Sequence, residues 1–216
     1  MELQQIIKAA VDQAISYQQY RAFVEAHTVN GTNSGDEVTE ALAEYTALNN
    51  QRMKRLDKTL KLLTKHQEFL SAFHKEVYFL IITESWCGDA AQTMPMMNKV
   101  AEAAGIDFKV VLRDENPLLM DHFLTNGARS IAKLLLIDKN TDLPITTWGP
   151  RPTKATQLVA EEKASKGELL PEFKQVLQNW YNKDKGKDTE QDLMEMLKAV
   201  YPVQSSNCAD FDSLLL

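Results

Sequence analysis

The chain contains few cysteines, no excess of positive charge and no long apolar segment. Two cysteines among 216 residues are too few for a disulfide framework and are typical of a reducing compartment. Lysine and arginine number 24 against 30 aspartates and glutamates, and the resulting net charge of −6 argues against nucleic acid as a main partner. The longest clear apolar run, Val77–Ile82, is far shorter than the roughly 20 residues that span a bilayer, so no membrane insertion is expected.

Signals for export, metal binding and phosphate binding are also missing. The amino-terminal segment has neither the basic region nor the uninterrupted apolar region of a secretory signal, so we expect a cytoplasmic protein. The four histidines are scattered without the spacing of metal ligands, and there is no glycine-rich phosphate loop. The sequence therefore predicts no metal and no cofactor.

Residues 1–74 have the pattern of helices, because apolar side chains recur at helical spacing and the segment contains no proline. The first helix is predicted to end near His27. A turn follows, in which Ser34 or Asp36 would cap the next helix, and a third helical pattern continues to Phe73.

The middle of the chain alternates between strands and helices. Val77–Ile82 is β-branched and aromatic, as in a strand covered on both faces. The predicted elements that follow are a helix from 89 to 103, a strand from 108 to 112, a short helix opened by Asn116 and Pro117, and a hairpin formed by 133–137 and 143–148. We expect an α/β unit over 75–165, with residues 1–74 packed on it and helices and a tail over 166–216.

A cysteine stands where the predicted central strand turns into a helix, in the sequence Glu84-Ser85-Trp86-Cys87-Gly88-Asp89-Ala90. Helix amino termini carry unpaired N–H groups and partial positive charge, which stabilise a thiolate and lower the pKa of a thiol. Cys87 is therefore the candidate nucleophile, although a small apolar residue that only fills space is an open alternative. The Asp89 carboxylate would favour the helix start while opposing a neighbouring thiolate.

Residues 84–90, called the cysteine turn below, resemble the Trp-Cys-Gly-Pro-Cys turn of thioredoxins. The element order over 75–165 resembles the thioredoxin fold. Together with Arg113-Asp114-Glu115-Asn116-Pro117 and Trp148-Gly149-Pro150-Arg151-Pro152, the cysteine turn is similar to a bacterial thioredoxin-like group with a helical N-terminal extension. The resemblance implies a central mixed sheet flanked by helices, with extra helices at both ends of the chain. It also implies a pocket formed around Cys87 by Glu84, Trp86, Gly88, Asp89, Ala132 and Trp148.

Two departures from the thioredoxin pattern bear on the chemistry. Ala90 replaces the second cysteine, so Cys87 has no local resolving partner, and Cys208 would either serve from the tail or remain an unpaired thiol. Ala132 replaces the cis proline of the family. Because a cis bond before a residue other than proline costs about 3–4 kcal/mol, we predict a trans peptide between Ile131 and Ala132.

Basic residues near the predicted sheet ends are candidates for anion binding. Arg113, Arg129 and Arg151 would each bind a substrate carboxylate, or else pair with neighbouring acids in a structural network. The polar helix segment 49–57 would form a lid over the cysteine turn, or else a solvated helix face with Met53 and Leu56 inward.

These features favour a monothiol redox protein, in which Cys87 forms a mixed disulfide that an external thiol then releases. Its partner would be a protein or a low-molecular-weight thiol or disulfide. The alternative is a redox-inactive binding or adaptor module that keeps the groove around the two tryptophans Trp86 and Trp148. The sequence does not define the oligomeric state.

Overall fold

The computed structural model describes residues 2–202, and Cys208 lies outside this range. The described chain is an α/β structure in which helices flank a mixed sheet, as the sequence predicts. Its elements in chain order are α1 (Leu3–Asp12), β1 (Ile15–Ser16), α2 (Tyr17–Asn30), α3 (Glu40–Thr59), α4 (Thr64–Ser71), β2 (Val77–Thr83), α5 (Gly88–Ala104), β3 (Asp107–Leu112), α6 (Pro117–His122), β4 (Lys133–Asp138), β5 (Pro144–Trp148), α7 (Thr153–Lys166), α8 (Phe173–Asp184) and α9 (Lys187–Val200).

The sheet is built around β2, in the strand order β1-β3-β2-β4-β5. Strand β2 runs parallel to β3 and antiparallel to β4, so that Ile81 lies opposite Val110 on one side and Leu134 on the other. Every residue of β2 is buried, because helices cover both faces of the sheet. This strand delivers the cysteine turn from the centre of the core.

Helix α5 begins directly after that turn and is itself largely buried. Met94, Met97 and Val100 are fully enclosed, and the helix packs against both α3 and α9. The turn between β2 and α5 is therefore held at both ends by buried elements, which leaves its backbone little freedom to move. Among residues 2–202, no helix combines the length and apolar character needed to cross a bilayer.

The amino-terminal segment differs from the predicted run of helices. The single helix predicted to end near His27 is two helices, separated by the short strand β1, which pairs with β3. Ser16 starts the second helix, because its hydroxyl accepts a hydrogen bond from the Gln19 N–H at 3.2 Å and the Gln19 side chain accepts one from the Ser16 N–H at 2.8 Å. The Ser-x-x-Gln spacing of this capping box is visible in the sequence.

The next helix boundaries also differ from the predicted ones. Thr39, rather than Ser34 or Asp36, caps α3, since its hydroxyl accepts from the Leu42 N–H at 3.2 Å. The pattern predicted to run to Phe73 is interrupted between Thr59 and Thr64, where Leu60 is extended and its side chain is buried. The predicted long helix is therefore two helices, α3 and α4, joined by a short extended segment.

The peptide bond between Ile131 and Ala132 is cis, so the predicted trans bond is wrong. The prediction considered only the preference of an isolated peptide. In the fold this peptide lies between the cysteine turn and the loop that starts α7: the Ile131 carbonyl accepts from Cys87, and the Ala132 carbonyl lies against Gly149. Tertiary contacts on both sides decide its conformation.

Gly149 provides a test of how tightly the loop between β5 and α7 is held. Its φ is +111°, and a Cβ at this position would overlap the Ala132 carbonyl oxygen. Gly167 has a comparable φ of +81° with no atom within 4 Å of such a Cβ. We expect Gly149→Ala to lower the free energy of unfolding by about 1–3 kcal/mol more than Gly167→Ala, because overlap is added to the backbone strain. Urea denaturation of both variants measures the difference, and equal losses would show that the loop yields freely.

Candidate functional site

Cys87 is the N-cap residue of α5, as the sequence predicts. Its sulfur accepts a hydrogen bond from the Ala90 N–H at 3.4 Å and donates one to the Ile131 carbonyl oxygen at 3.2 Å. The residue is 6% exposed, so the sulfur forms part of the floor of a cleft rather than projecting into solvent. The thiol is thus held between a helix start and a backbone acceptor.

The environment of the sulfur favours the protonated form. Burial raises the pKa of the Cys87 thiol to about 12, and the Asp89 carboxylate acts in the same direction. The backbone N–H groups of Ala90 and Asp89 and the cation of Arg151 lower this pKa but do not outweigh burial. The pKa depression predicted from the helix start is therefore wrong, because the sequence does not show how much water the fold removes.

Asp89 joins the cysteine turn to two later parts of the chain. Its carboxylate pairs with the Arg151 guanidinium at 2.7 Å and accepts a hydrogen bond from the Tyr181 hydroxyl at 3.0 Å. Burial raises the pKa of the Asp89 carboxyl, while Arg151 and Tyr181 oppose that shift. Tyr181 was not a predicted site residue, and no local pattern in α8 distinguishes it from an ordinary buried aromatic residue.

Glu84 has a structural position beneath the turn and does not line the cleft. Its fully buried carboxylate accepts a hydrogen bond from the Ser34 hydroxyl and another from the Asp114 N–H at 3.0 Å. Burial raises the pKa of the Glu84 carboxyl against these two hydrogen bonds. The side chain joins the loop before α3 to the ends of two neighbouring strands.

Helix α3 covers the cysteine turn through further polar contacts. The Asn49 amide donates to the Ser85 carbonyl oxygen at 3.1 Å, and the hydroxyls of Thr46 and Ser85 lie 2.9 Å apart. Met53 and Leu56 are buried beneath the helix, as the solvated-face interpretation requires. Since α3 also lies over the cysteine turn, segment 49–57 has features of both the lid and the solvated helix face.

The cleft above Cys87 has a volume of about 540 Å³ and is lined by residues from several parts of the chain. Helix α3 contributes one wall and helix α8 contributes another. The predicted site residues Trp86, Gly88 and Asp89 line this cleft. The lining residues that the sequence did not single out as site residues include Tyr45, Arg52, Ile131, Lys174 and Tyr181.

The two tryptophans have different positions. The Trp86 indole N–H donates to the Ser34 carbonyl oxygen at 3.1 Å, and the Arg113 guanidinium lies 4.9 Å from its ring centroid. Trp148 is not in the cysteine cleft, because its indole N–H donates to the Asp192 carboxylate at 2.9 Å on the side of α9. The groove predicted around both tryptophans therefore retains only Trp86. Ala132 is fully enclosed, and the preceding Ile131 reaches the cleft in its place.

All three predicted anion-binding arginines line the cleft, and each already has an acidic partner. Arg113 pairs with Asp114 at 2.6 Å, Arg129 with Asp121 at 2.6 Å and Arg151 with Asp89 at 2.7 Å. This arrangement corresponds to the structural network that was the open alternative. Within the described part of the chain, no three histidine, cysteine or acidic side chains form a group suited to a metal ion.

Alkylation of Cys87 tests the raised pKa directly. In a Cys208→Ser background, the rate of reaction with iodoacetamide should rise steadily from pH 6 to pH 10 without a plateau, because the thiol titrates near pH 12. Asp89→Asn should accelerate alkylation roughly threefold or more at a given pH, since it removes a charge that opposes the thiolate. Asp107→Asn, at the far end of β3, is the control and should leave the rate unchanged. A plateau with a midpoint below pH 9 would contradict the raised pKa.

Comparisons with known proteins agree with this fold. A family model described as thioredoxin matches residues 35–164, which is more than half of the chain. A crystal structure of a protein of unknown function from Pseudomonas aeruginosa is similar to the chain, with a TM-score of 0.57 and 13% identity over 88% of this chain and 95% of that one. An HIV epitope-scaffold gives a TM-score of 0.52 and 15% identity over 86% and 99%. No curated protein matches the sequence.

The family model covers more than half of the chain, including the central strands, the cysteine turn and helix α5. The chain therefore belongs to the thioredoxin family.

Proposed function

We propose that this protein catalyses monothiol disulfide exchange at Cys87, within a bacterial subgroup of the family marked by the Trp-Cys-Gly-Asp-Ala turn. The observation that carries the proposal is the position of the sulfur: it caps α5 and forms part of the floor of an open cleft. Two backbone N–H groups of the first turn face it and would stabilise a thiolate.

The exchange has two balanced steps at Cys87, followed by a release step. The Cys87 thiolate attacks one sulfur of a bound disulfide, forming a mixed disulfide and releasing the other sulfur as a thiolate, which takes up the proton that Cys87 lost. An external thiol then attacks the sulfur that is linked to Cys87, which restores the Cys87 thiol and leaves a disulfide between the external thiol and that half of the bound compound. A second external thiol releases this half, so that two external thiols are oxidised to one disulfide while the bound disulfide is reduced to two thiols. Ala90 provides no local sulfur that could take the place of the external thiol in the second step.

The raised pKa determines the rate of the first step. With a pKa of about 12, only about one molecule in 10⁵ has the thiolate at pH 7. The first step therefore becomes faster as the pH rises and is slow at neutral pH. This dependence is opposite to that of a thiol with a depressed pKa, for which the rate levels off near neutrality.

The same observation supports a second candidate function, a binding module without turnover. Cys87 is 6% exposed, and its thiol donates a hydrogen bond to the Ile131 carbonyl oxygen. The side chain is therefore well placed to fill space under a bound partner. In this candidate the cleft binds its partner through Trp86 and the basic side chains, and Cys87 is a small buried residue of the floor.

Adduct formation with a small disulfide separates the two candidates. The Cys208→Ser protein is incubated with glutathione disulfide at pH 8.5, and mass spectrometry is used to detect one added glutathionyl group. Exchange predicts an adduct that excess thiol removes and that is absent from the Cys87→Ser, Cys208→Ser protein. If the native protein forms no adduct while the same chain unfolded in urea forms one readily, the exchange function is wrong and the binding module remains.

A further inference from the structure

Five cations line the cysteine cleft within the described residues, and two of them lack an acidic partner. The three arginines Arg113, Arg129 and Arg151 are neutralised by neighbouring carboxylates. Among residues 2–202, neither Arg52 nor Lys174 forms an ion pair. An excess of positive charge at this position is notable in a protein whose net charge is −6.

Arg52 lies directly above the cysteine turn. Its Nη1 would be 3.7 Å from a Cβ placed on Gly88, and the same nitrogen donates to the Asn49 side-chain oxygen at 3.1 Å. Burial and the neighbouring cation of Arg55 lower the pKa of Arg52. Tyr45 and the Asp89 carboxylate oppose that shift without outweighing it, so the guanidinium is only partly compensated where it stands. A half-buried cation without a carboxylate partner is costly, and an incoming anion would offset that cost.

Lys174 reaches the cleft from helix α8, whereas Arg52 belongs to helix α3. Its ammonium donates to the Tyr45 hydroxyl at 2.9 Å and lies 5.4 Å from the centre of that ring. Both contacts are made with the neutral side chain of Tyr45, so the positive charge of Lys174 remains available to a ligand. The two unpaired cations are thus contributed by two different helices, α3 and α8, which both line the cleft.

The size of the cleft restricts what these cations bind. A volume of about 540 Å³ falls within the range of roughly 300–1,000 Å³ that is typical of small-molecule sites. A guanidinium and an ammonium both recognise carboxylates through charge-assisted hydrogen bonds.

We propose that the cleft binds a small sulfur compound carrying two carboxylates, one contacting Arg52 and the other Lys174, with the sulfur of the compound above Cys87. This assignment names the partner class for the proposed function and uses the same site. Recognition by the two cations does not require Cys87 to react, so binding is tested in the Cys87→Ser protein, where exchange is impossible.

Three small disulfides of similar size and different charge serve as probes: 3,3′-dithiodipropionate, bis(2-hydroxyethyl) disulfide and cystamine. Titration calorimetry at low salt should give at least about tenfold tighter binding of the dianion than of the neutral compound, with the dication weakest. The preference should shrink as the salt concentration rises. Equal affinities for the three compounds would overturn the proposal.

Charge-removing variants connect that preference to the two residues. Arg52→Gln and Lys174→Gln should each weaken binding of the dianion by about tenfold and leave binding of the neutral disulfide unchanged. Arg52→Lys, which keeps the charge, should retain part of the preference. Lys183→Gln, on the same helix as Lys174 but outside the cleft, is the matched control and should have no effect. Unaltered dianion binding in Arg52→Gln, or tighter binding of an acidic peptide than of the dianion, would show that the assignment to a small dicarboxylate is wrong.

Discussion

The pairing of the buried Asp89 carboxylate with Arg151 is the interaction on which the geometry of the cleft depends. A carboxylate in the first turn of a buried helix needs a cation and hydrogen-bond donors, since leaving one partner of a buried ion pair without the other costs about 3–5 kcal/mol. Arg151 and the Tyr181 hydroxyl provide them, from the loop before α7 and from α8. The carboxylate thereby fixes two walls of the cleft relative to the cysteine turn.

The same carboxylate affects the electrostatics of the sulfur. The Asp89 carboxylate disfavours the thiolate of Cys87. It also pairs with Arg151, so the positive charge of Arg151 is shared between this carboxylate and the sulfur. With burial as the larger cause, the thiol stays protonated although it caps a helix. The helix amino terminus therefore provides a suitable position for a thiolate, and the surrounding side chains decide how often that thiolate forms.

Much of the fold follows from local patterns in the sequence, whereas the chemistry of the site depends on long-range contacts. The apolar run of β2, the Asn116-Pro117 start of α6 and the hairpin of β4 and β5 are encoded by neighbouring residues, and the predicted elements match the structure closely. The short strand β1 was missed because two residues carry almost no periodicity. Likewise, the burial of Cys87 and the position of Trp148 beside α9 arise from segments far apart in the chain. The family match begins at residue 35 and so includes α3, while the domain boundaries at 74 and 165 stay a prediction.

The distribution of charge around the cleft separates structural from available cations. Arg113, Arg129 and Arg151 stand beside strands and turns rich in acids, so folding itself neutralises them. Arg52 and Lys174 are contributed by the helices α3 and α8, and their hydrogen-bond partners are an amide oxygen and a hydroxyl. An arginine near a predicted sheet end is thus a poor guide to ligand binding. Cations without an ion-pair partner are the better candidates, because no carboxylate of the protein at salt-bridge distance competes with an incoming anion for them.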